Sequence, residues 1–354
     1  MIFTHWFSPI QKALSVSSTG RANNATDHLF TIAKRKLFSI APTEVSIAKR
    51  GFQVDDPYKQ ERIEAIGLSF LAGYHAAIDA QSTDQLHQSL ESVSSEYQGF
   101  AYEGAAMGLG LMDQLFPWRS SQFSIFLTDA RNLYPYLTYV GLGWSLARLP
   151  GGIVNFSKRL VESLSPSTET ASNNSLLTCL AIDGYGFHQG YFVWKKYVQE
   201  KFEPIYLPPA CLPLFNQGLG RSLCFVLGMD GERIATTIQQ FPQSRQADLW
   251  SGVGLAVTYA GGLAESEIES LKKQSQEYLP AFAQGVAFAA KARQRANYVP
   301  EHTVLVCQLV WGQPVERIAA LTDTTLQDLP LNSKLEAYRI WRQRLQQAFA
   351  SYPS

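Results

Sequence analysis

The sequence predicts an all-α protein, an α/α toroid of about six inner and outer helix pairs around a central apolar cavity. Three observations lead there: a recurring glycine motif, alternation of amphipathic with wholly apolar helical segments, and sparse strand signals. The recurring stretches are "YEGAAMGLGL" from Tyr102, "YVGLGWSLAR" from Tyr139, "IDGYGFHQGY" from Ile182, "NQGLGRSLCF" from Asn216, "WSGVGLAVTY" from Trp250 and "AQGVAFAAKA" from Ala283. Their leading glycines are Gly104, Gly141, Gly184, Gly218, Gly252 and Gly285. The steps of roughly 33 to 43 residues between them match the period of a helical repeat array. A second small residue follows two positions later in each copy, at Ala106, Gly143, Gly186, Gly220, Gly254 and Ala287.

In chain order, residues 1–55 are mixed and carry the basic runs "AKRKLF" and "IAKRGF", read as an N-terminal extension packing on the toroid. Residues 56–354 are read as a single toroid domain. It opens on "YKQERIEAIGLSFLAGYHAAIDA" from Tyr58, a long helix with its apolar residues on one stripe. Each repeat has room for two helices. "MDGERIATTIQQF" and "AESEIESLKKQSQEYL" have amphipathic spacing and an acidic first turn, as solvent-facing outer helices do. "GVGLAVTYAGG" and "GVAFAAKA" are apolar on nearly every face, as helices buried on both sides are. The small residues let such inner helices approach closely, and glycine suits the conformations at a helix start. "SPSTETASNNS" (Ser165–Ser175) reads as a polar surface loop that the repeat crosses, so one domain is expected. After Tyr298, "EHTVLVCQLVWG" and "SKLEAYRIWRQRLQQAFASY" close the fold.

Composition removes several functions. Thirty basic residues balance thirty acidic ones, so nucleic acid has no electrostatic footprint to bind. Cys179, Cys211, Cys224 and Cys307 share no metal-ligand spacing and sit in apolar contexts, as free thiols in a reducing compartment do. The N-terminus lacks the pattern of a secretory signal, and no apolar run reaches the roughly 18 residues of a spanning helix. A cytoplasmic protein is expected, with peripheral membrane contact retained as a route for substrate uptake. The six histidines are scattered and no Asp-rich motif occurs, so neither a metal nor a cofactor is expected. "GLGRS" resembles part of a phosphate loop, but no strand pattern precedes it and no Gly-Lys-Ser/Thr follows.

The residue before each leading glycine carries the chemistry. Alternate copies give an A series, Glu103, Asp183 and Ser251, and a B series, Val140, Gln217 and Gln284. If the inner helices share a direction, the polar A positions converge on one mouth of the cavity. One reading makes them helix caps, since Asp and Ser are favoured N-caps and Glu suits a first turn. The other makes them catalytic, because desolvation at an apolar cavity holds a carboxyl protonated and fit to act as a general acid. On that reading Asp183 is the acid, with Glu103 and His188 assisting. His188 lies about 140° around the helix from Asp183, so it serves another wall residue rather than Asp183 itself. Arg221 either pairs with Asp183 or Glu103 or binds an oxygenated substrate end. Tyr102, Trp144, Tyr185, Phe187 and Trp250, with Gln217 and Ser251, are the expected substrate-contacting residues.

The series "AKRGF", "RIEAIGLSFLAGYHAAI", "YEGAAMG", "VGLGWSLARL", "DGYGFHQGYF", "NQGLGRSLCFV" and "LWSGVGLAVTYAGG" resembles a bacterial family of about this length, known as a domain of unknown function. Members are similar to proteins encoded in enediyne natural-product clusters and in other secondary metabolism. The resemblance runs from about Ala48 to Ala296, and for enediyne members it implies intramolecular carbon–carbon bond formation. The plan of a helical toroid with an acid at its cavity is also similar to class II terpene cyclases. This chain lacks their D-x-D-D motif and offers Asp183 alone in "IDGYG". The expected function is therefore a cofactor-independent cyclase of a hydrophobic isoprenoid, polyene or polyketide-derived substrate. The alternative is a non-catalytic carrier of a lipophilic intermediate. Whether Glu103 and Asp183 face an enclosed pocket or cap helices at the surface separates the two.

Overall fold

A computed structural model describes residues 35, 38–162, 176–330 and 333–352. Most of the "AKRKLF" run and the whole Ser165–Ser175 loop lie outside the described residues. The compact unit considered below spans Ile40–Ser354.

All regular structure among the described residues is helical. A single turn at Ile47–Arg50 precedes α1 (Pro57–Asp79), α2 (Thr83–Glu91), α3 (Gln98–Leu115), α4 (Gln122–Thr128) and α5 (Pro135–Ala147). The middle of the chain forms α6 (Gly152–Glu162), α7 (Leu180–Phe192), α8 (Leu212–Val226), α9 (Gly231–Gln239) and α10 (Gln243–Ala260). It closes with α11 (Glu265–Gln274), α12 (Leu279–Arg295), α13 (Glu301–Trp311), α14 (Val315–Thr325) and α15 (Lys334–Ala350).

The first turn is tied to α1: the Ile47 N–H donates to the Glu64 carboxylate at 2.9 Å, and the Ile40 N–H to His75 Nε2 at 3.1 Å. Residues 40–55 thus belong to the main unit, although the sequence reading placed them in an extension. Asp56 starts α1 by accepting from the Tyr58 N–H at 2.8 Å, with Pro57 in the first helical position, where its missing N–H costs nothing.

The helices bearing the recurring glycines are buried along most of their length, as the inner helices of the expected plan would be. Helices α1, α3, α5, α7, α8, α10 and α12 pack side by side in that order. Gly104 of α3 abuts Phe70 and Tyr74 of α1, and Gly108, one turn on, abuts Tyr74 and Ala77. Likewise Gly186 of α7 meets Phe215 of α8, and Gly190 meets Leu219 and Ser222. Residue numbers rise together on both sides of each contact, so these neighbours run in the same direction. A Cβ on Gly104, Gly141, Gly184 or Gly218 would stand 1.8–2.1 Å from a carbonyl oxygen of the preceding inner helix. Glycine in mid-helix costs roughly 0.5–1 kcal/mol relative to alanine, and here no larger residue fits.

One expectation changes. The leading glycines are not at helix starts but lie a full turn or more inside. The residues that begin their helices, Tyr97, Tyr134, Cys179, Cys211, Pro242 and Tyr278, make no side-chain cap hydrogen bond. The glycines are there for contact between backbones, not for the geometry of a helix start.

Outer helices behave as their patterns predict. Helix α9 buries Ile234, Ala235 and Ile238, and α11 buries Ile268 and Leu271 with Glu265 and Glu267 in its first turn. The step from α7 to α8 departs from the expected helix pairing. A π-helical turn, Lys195–Gln199, and a short 3-10 turn, Pro209–Cys211, stand where an outer helix was expected. "EPIYLPPA" contains Pro204, Pro208 and Pro209, which remove donors that a helix interior needs.

Candidate active site

Parallel inner helices bring the residues before the leading glycines to one level. Each of Gly141, Gly184, Gly218, Gly252 and Gly285 abuts the carbonyl of the residue preceding the leading glycine on the helix before it: Glu103, Val140, Asp183, Gln217 and Ser251. The side chains at that level join into a buried polar belt. Arg221 Nη1 donates to Asp183 Oδ1 at 2.5 Å, and Gln217 Nε2 donates to Asp183 Oδ2 at 2.8 Å. The Ser251 hydroxyl lies 3.1 Å from Gln217 Oε1 and 3.0 Å from Gln284 Oε1, and its single proton serves one of them at a time. Arg342 of α15 ends the belt, donating through Nε to Gln284 Oε1 at 3.0 Å and through Nη2 to Asp248 Oδ1 at 2.8 Å.

The belt corrects two sequence expectations. Neither Glu103 nor Asp183 caps a helix, and both are buried, at 2% and 0% exposure, so they are not at a mouth. The B-series residues Gln217 and Gln284 stand in the same network as the A series, while Val140 is its apolar gap.

Glu103 stands at the other side of Arg221. Its Oε2 is 4.0 Å from Arg221 Nη2, too far for a hydrogen bond. Burial raises its pKa from 4.5 to about 7, against the opposing pull of Arg221; the Asp183 charge raises it further. The Trp144 indole N–H is close enough to favour the anion, yet it completes no hydrogen bond. Glu103 is a carboxyl that keeps its proton to near neutrality, whereas Asp183 is the hydrogen-bonded counter-ion of Arg221.

Glu103 faces a cavity of about 770 Å³, partly open to solvent, whose walls come from α1, α3, α5, α7, α8 and α10. The lining is almost wholly apolar, including Phe70, Met107, Trp144, Phe187, Tyr191 and Phe225. The guanidinium of Arg221 stands 5.0 Å over the Phe187 ring. No cluster of His, Cys, Asp and Glu among the described residues is arranged to hold a metal ion.

Of the residues singled out from sequence, Glu103, Asp183, Arg221, Trp144, Phe187, Gln217 and Ser251 come together here. Asp183, Gln217 and Ser251 belong to the belt and do not line this cavity, and three aromatics stand apart from both. Tyr102 stacks on Phe126 and its hydroxyl lies 3.1 Å from His87 Nδ1; Tyr185 bonds Tyr206 at 2.6 Å; Trp250 packs on Phe282. His188 is also outside the lining. Both its ring nitrogens are buried without a hydrogen-bond partner among the described residues, and Trp144 and Phe192 pack on it with ring centroids 5.4 and 4.9 Å away. Burial lowers its pKa to about 3, so it is a neutral ring at any ordinary pH.

The lining residues, those named from sequence and those missed, obey a simple rule. Met107, Trp144, Phe187, Arg221 and Leu255 each lie four positions after a belt position, and Arg148, Tyr191, Phe225 and Tyr259 eight positions after; all line the cavity. Residues four apart share a helix face, so the belt positions predict this stripe. Tyr102 and Trp250, one position before the belt, are turned about 100° away from it.

No curated protein and no solved structure matches the chain. No described helix is long and apolar enough to cross a membrane. Residues 29–349 match the family model described as "Protein of unknown function (DUF1702)". That match takes in every inner helix and the whole belt, and the chain therefore belongs to this family.

Proposed function

We propose that the chain is a cofactor-independent cyclase of a hydrophobic substrate, started by a proton from Glu103. The observation that carries this reading is a carboxyl with a pKa near 7 facing an apolar, aromatic-walled cavity, with Arg221 4.0 Å away. The inner helices are read as closing into a ring, because α1 also meets α10, where Arg62 Nε donates to the Ala260 carbonyl at 2.6 Å.

The charges suit the reaction. Before it, Arg221 and Asp183 neutralise each other and Glu103 is uncharged. Protonating a substrate alkene forms a C–H bond and a carbocation, and leaves the Glu103 carboxylate beside Arg221, which stabilises it as it forms. A second double bond attacks the cation and makes the C–C bond. Loss of a proton from the final cation, with the Glu103 carboxylate as the nearby base, makes the net change an isomerisation. The faces of Phe70, Trp144, Phe187 and Tyr191 stabilise the moving positive charge, and the apolar lining keeps water from quenching it. The sequence resemblance to secondary-metabolism proteins supports an isoprenoid, polyene or polyketide-derived substrate, met in the cytoplasm where four free thiols stay reduced.

Asp183, the acid favoured by sequence, is assigned to holding Arg221. The test is product formation from candidate polyenes by wild type, Glu103→Gln and Asp183→Asn. Glu103→Gln is expected to lose turnover by about 10²–10⁴-fold while still binding substrate. Normal turnover by that variant would remove Glu103 as the acid and favour a carrier.

A further inference from the structure

A second cavity, with about 500 Å³ of unfilled space that includes open solvent, lies among α5, α7, α10, α12 and α15. It touches the first at one place: Arg221, Leu255 and Tyr259 line both. Its walls are again apolar, including Leu137, Leu180, Phe288 and Trp341. The carboxylates divide between them, Glu103 facing the first cavity and Asp183 the second.

Leu255 stands in the shared wall. It is the only residue from Leu249 to Gly261 that is not fully buried, which places its side chain against unfilled space. Phe288, four residues after the belt residue Gln284 as Leu255 is after Ser251, is likewise the only one not fully buried from Ala281 to Ala290. Polar groups gather at the junction. Arg221 Nη2, at 4.0 Å from Glu103 Oε2, completes no hydrogen bond among the described residues, and Asp183 holds the same guanidinium through Nη1.

We propose that the two cavities form one bipartite site for a single elongated ligand, with an oxygen near mid-chain held at Arg221 and an apolar arm on each side. A polar junction between two apolar compartments fits such a molecule better than two wholly apolar ligands, which would leave Arg221 Nη2 unpaired. This deepens the reading of the first cavity as a lipophilic-substrate site and rests on it, but its test needs binding alone.

The probes are methyl ketones with one growing alkyl arm and symmetric dialkyl ketones with two, titrated calorimetrically into the full chain. In wild type each methylene buried adds about fourfold in affinity, so a symmetric ketone binds tighter than the methyl ketone with the same arm, at one ligand per chain. Ala292→Phe, which fills the second cavity, should erase the gain from the second arm and leave methyl ketones unaffected. Phe288→Trp, at a position with room for a larger ring, should reduce the same gain and serves if Ala292→Phe does not fold. Equal affinity of the two ketone types in wild type, two ketones per chain, equal weakening of both by these variants, or no binding of any ketone would overturn the proposal. Active Glu103→Gln alongside the expected ketone pattern would sink the cyclase reading and leave this one standing.

Discussion

Glu103 and Asp183 occupy the same place on two inner helices, one residue before a glycine, yet their surroundings give them different jobs. Asp183 receives hydrogen bonds from Arg221 and Gln217 and faces the smaller cavity. Glu103 has Arg221 only at 4.0 Å, faces the larger cavity, and keeps its proton to about pH 7. One carboxylate anchors a cation while the other is left short of partners. Position in the repeat sets the level of a side chain, and the neighbouring helix decides its chemistry.

The strongest way to break this contrast is Asp183→Asn. It leaves Arg221 buried without its hydrogen-bonded counter-ion, and breaking such a pair costs about 3–5 kcal/mol in denaturant unfolding. A loss below about 1 kcal/mol would mean that Arg221 re-pairs with Glu103.

Next comes the pH dependence of stability. Folded Glu103 holds its proton to about pH 7, while the unfolded chain releases it near 4.5, so stability falls as pH rises through that window. The slope should total roughly 3 kcal/mol and be flattened by Glu103→Gln. An unchanged slope would show that Glu103 is not the group that retains the proton.

Gly218→Ala tests the geometry beneath both carboxylates, since its Cβ would lie 1.8 Å from the Asp183 carbonyl oxygen. Overpacking there should cost about 1–3 kcal/mol and displace Asp183. At Gly312 nothing lies within 4 Å of an added Cβ, and the cost is only that of its φ of +61°, about 1 kcal/mol.

The smallest effect is expected from His188→Phe, within about 1 kcal/mol at neutral pH, because the ring is neutral and already packed among aromatics. His188 also makes wild type acid-sensitive: its folded pKa of about 3 lies below 6.5, so stability is lost as pH falls between those values. The variant should remove that loss. A large fall in turnover with unchanged binding would restore a catalytic role to His188.

The period of the glycines made the inner helices legible, and with them the polar positions Glu103, Asp183, Gln217, Ser251 and Gln284. A pairing of Arg221 with Asp183 or Glu103 was also within reach, as a buried cation on a charge-poor chain needs a partner, and Asp183 is the one that takes it. What the glycine period alone did not supply was rotation about the helix axis, which the belt positions fix through their four-residue spacing. Tyr102, Tyr185 and Trp250 stand close to glycines in the chain but pack on Phe126, Tyr206 and Phe282 away from the cavities, while Leu255, Tyr259 and Phe70 reach them. The ranking of the two carboxylates was hidden too, because it depends on which face of Arg221 each approaches. Asp248, three residues before Ser251 on α10, and Arg342 of α15, which end the belt, carry no repeat signature at all.

The central claim, that Glu103 carries the proton while Asp183 serves Arg221, is tested most directly by infrared difference spectroscopy of the protonated carboxyl band across a pH titration. The account predicts a buried carboxyl band that disappears around pH 7, is absent in Glu103→Gln, and survives in Asp183→Asn with its midpoint moved down, since the Asp183 charge helps raise it. A band that vanishes in Asp183→Asn and persists in Glu103→Gln would contradict it.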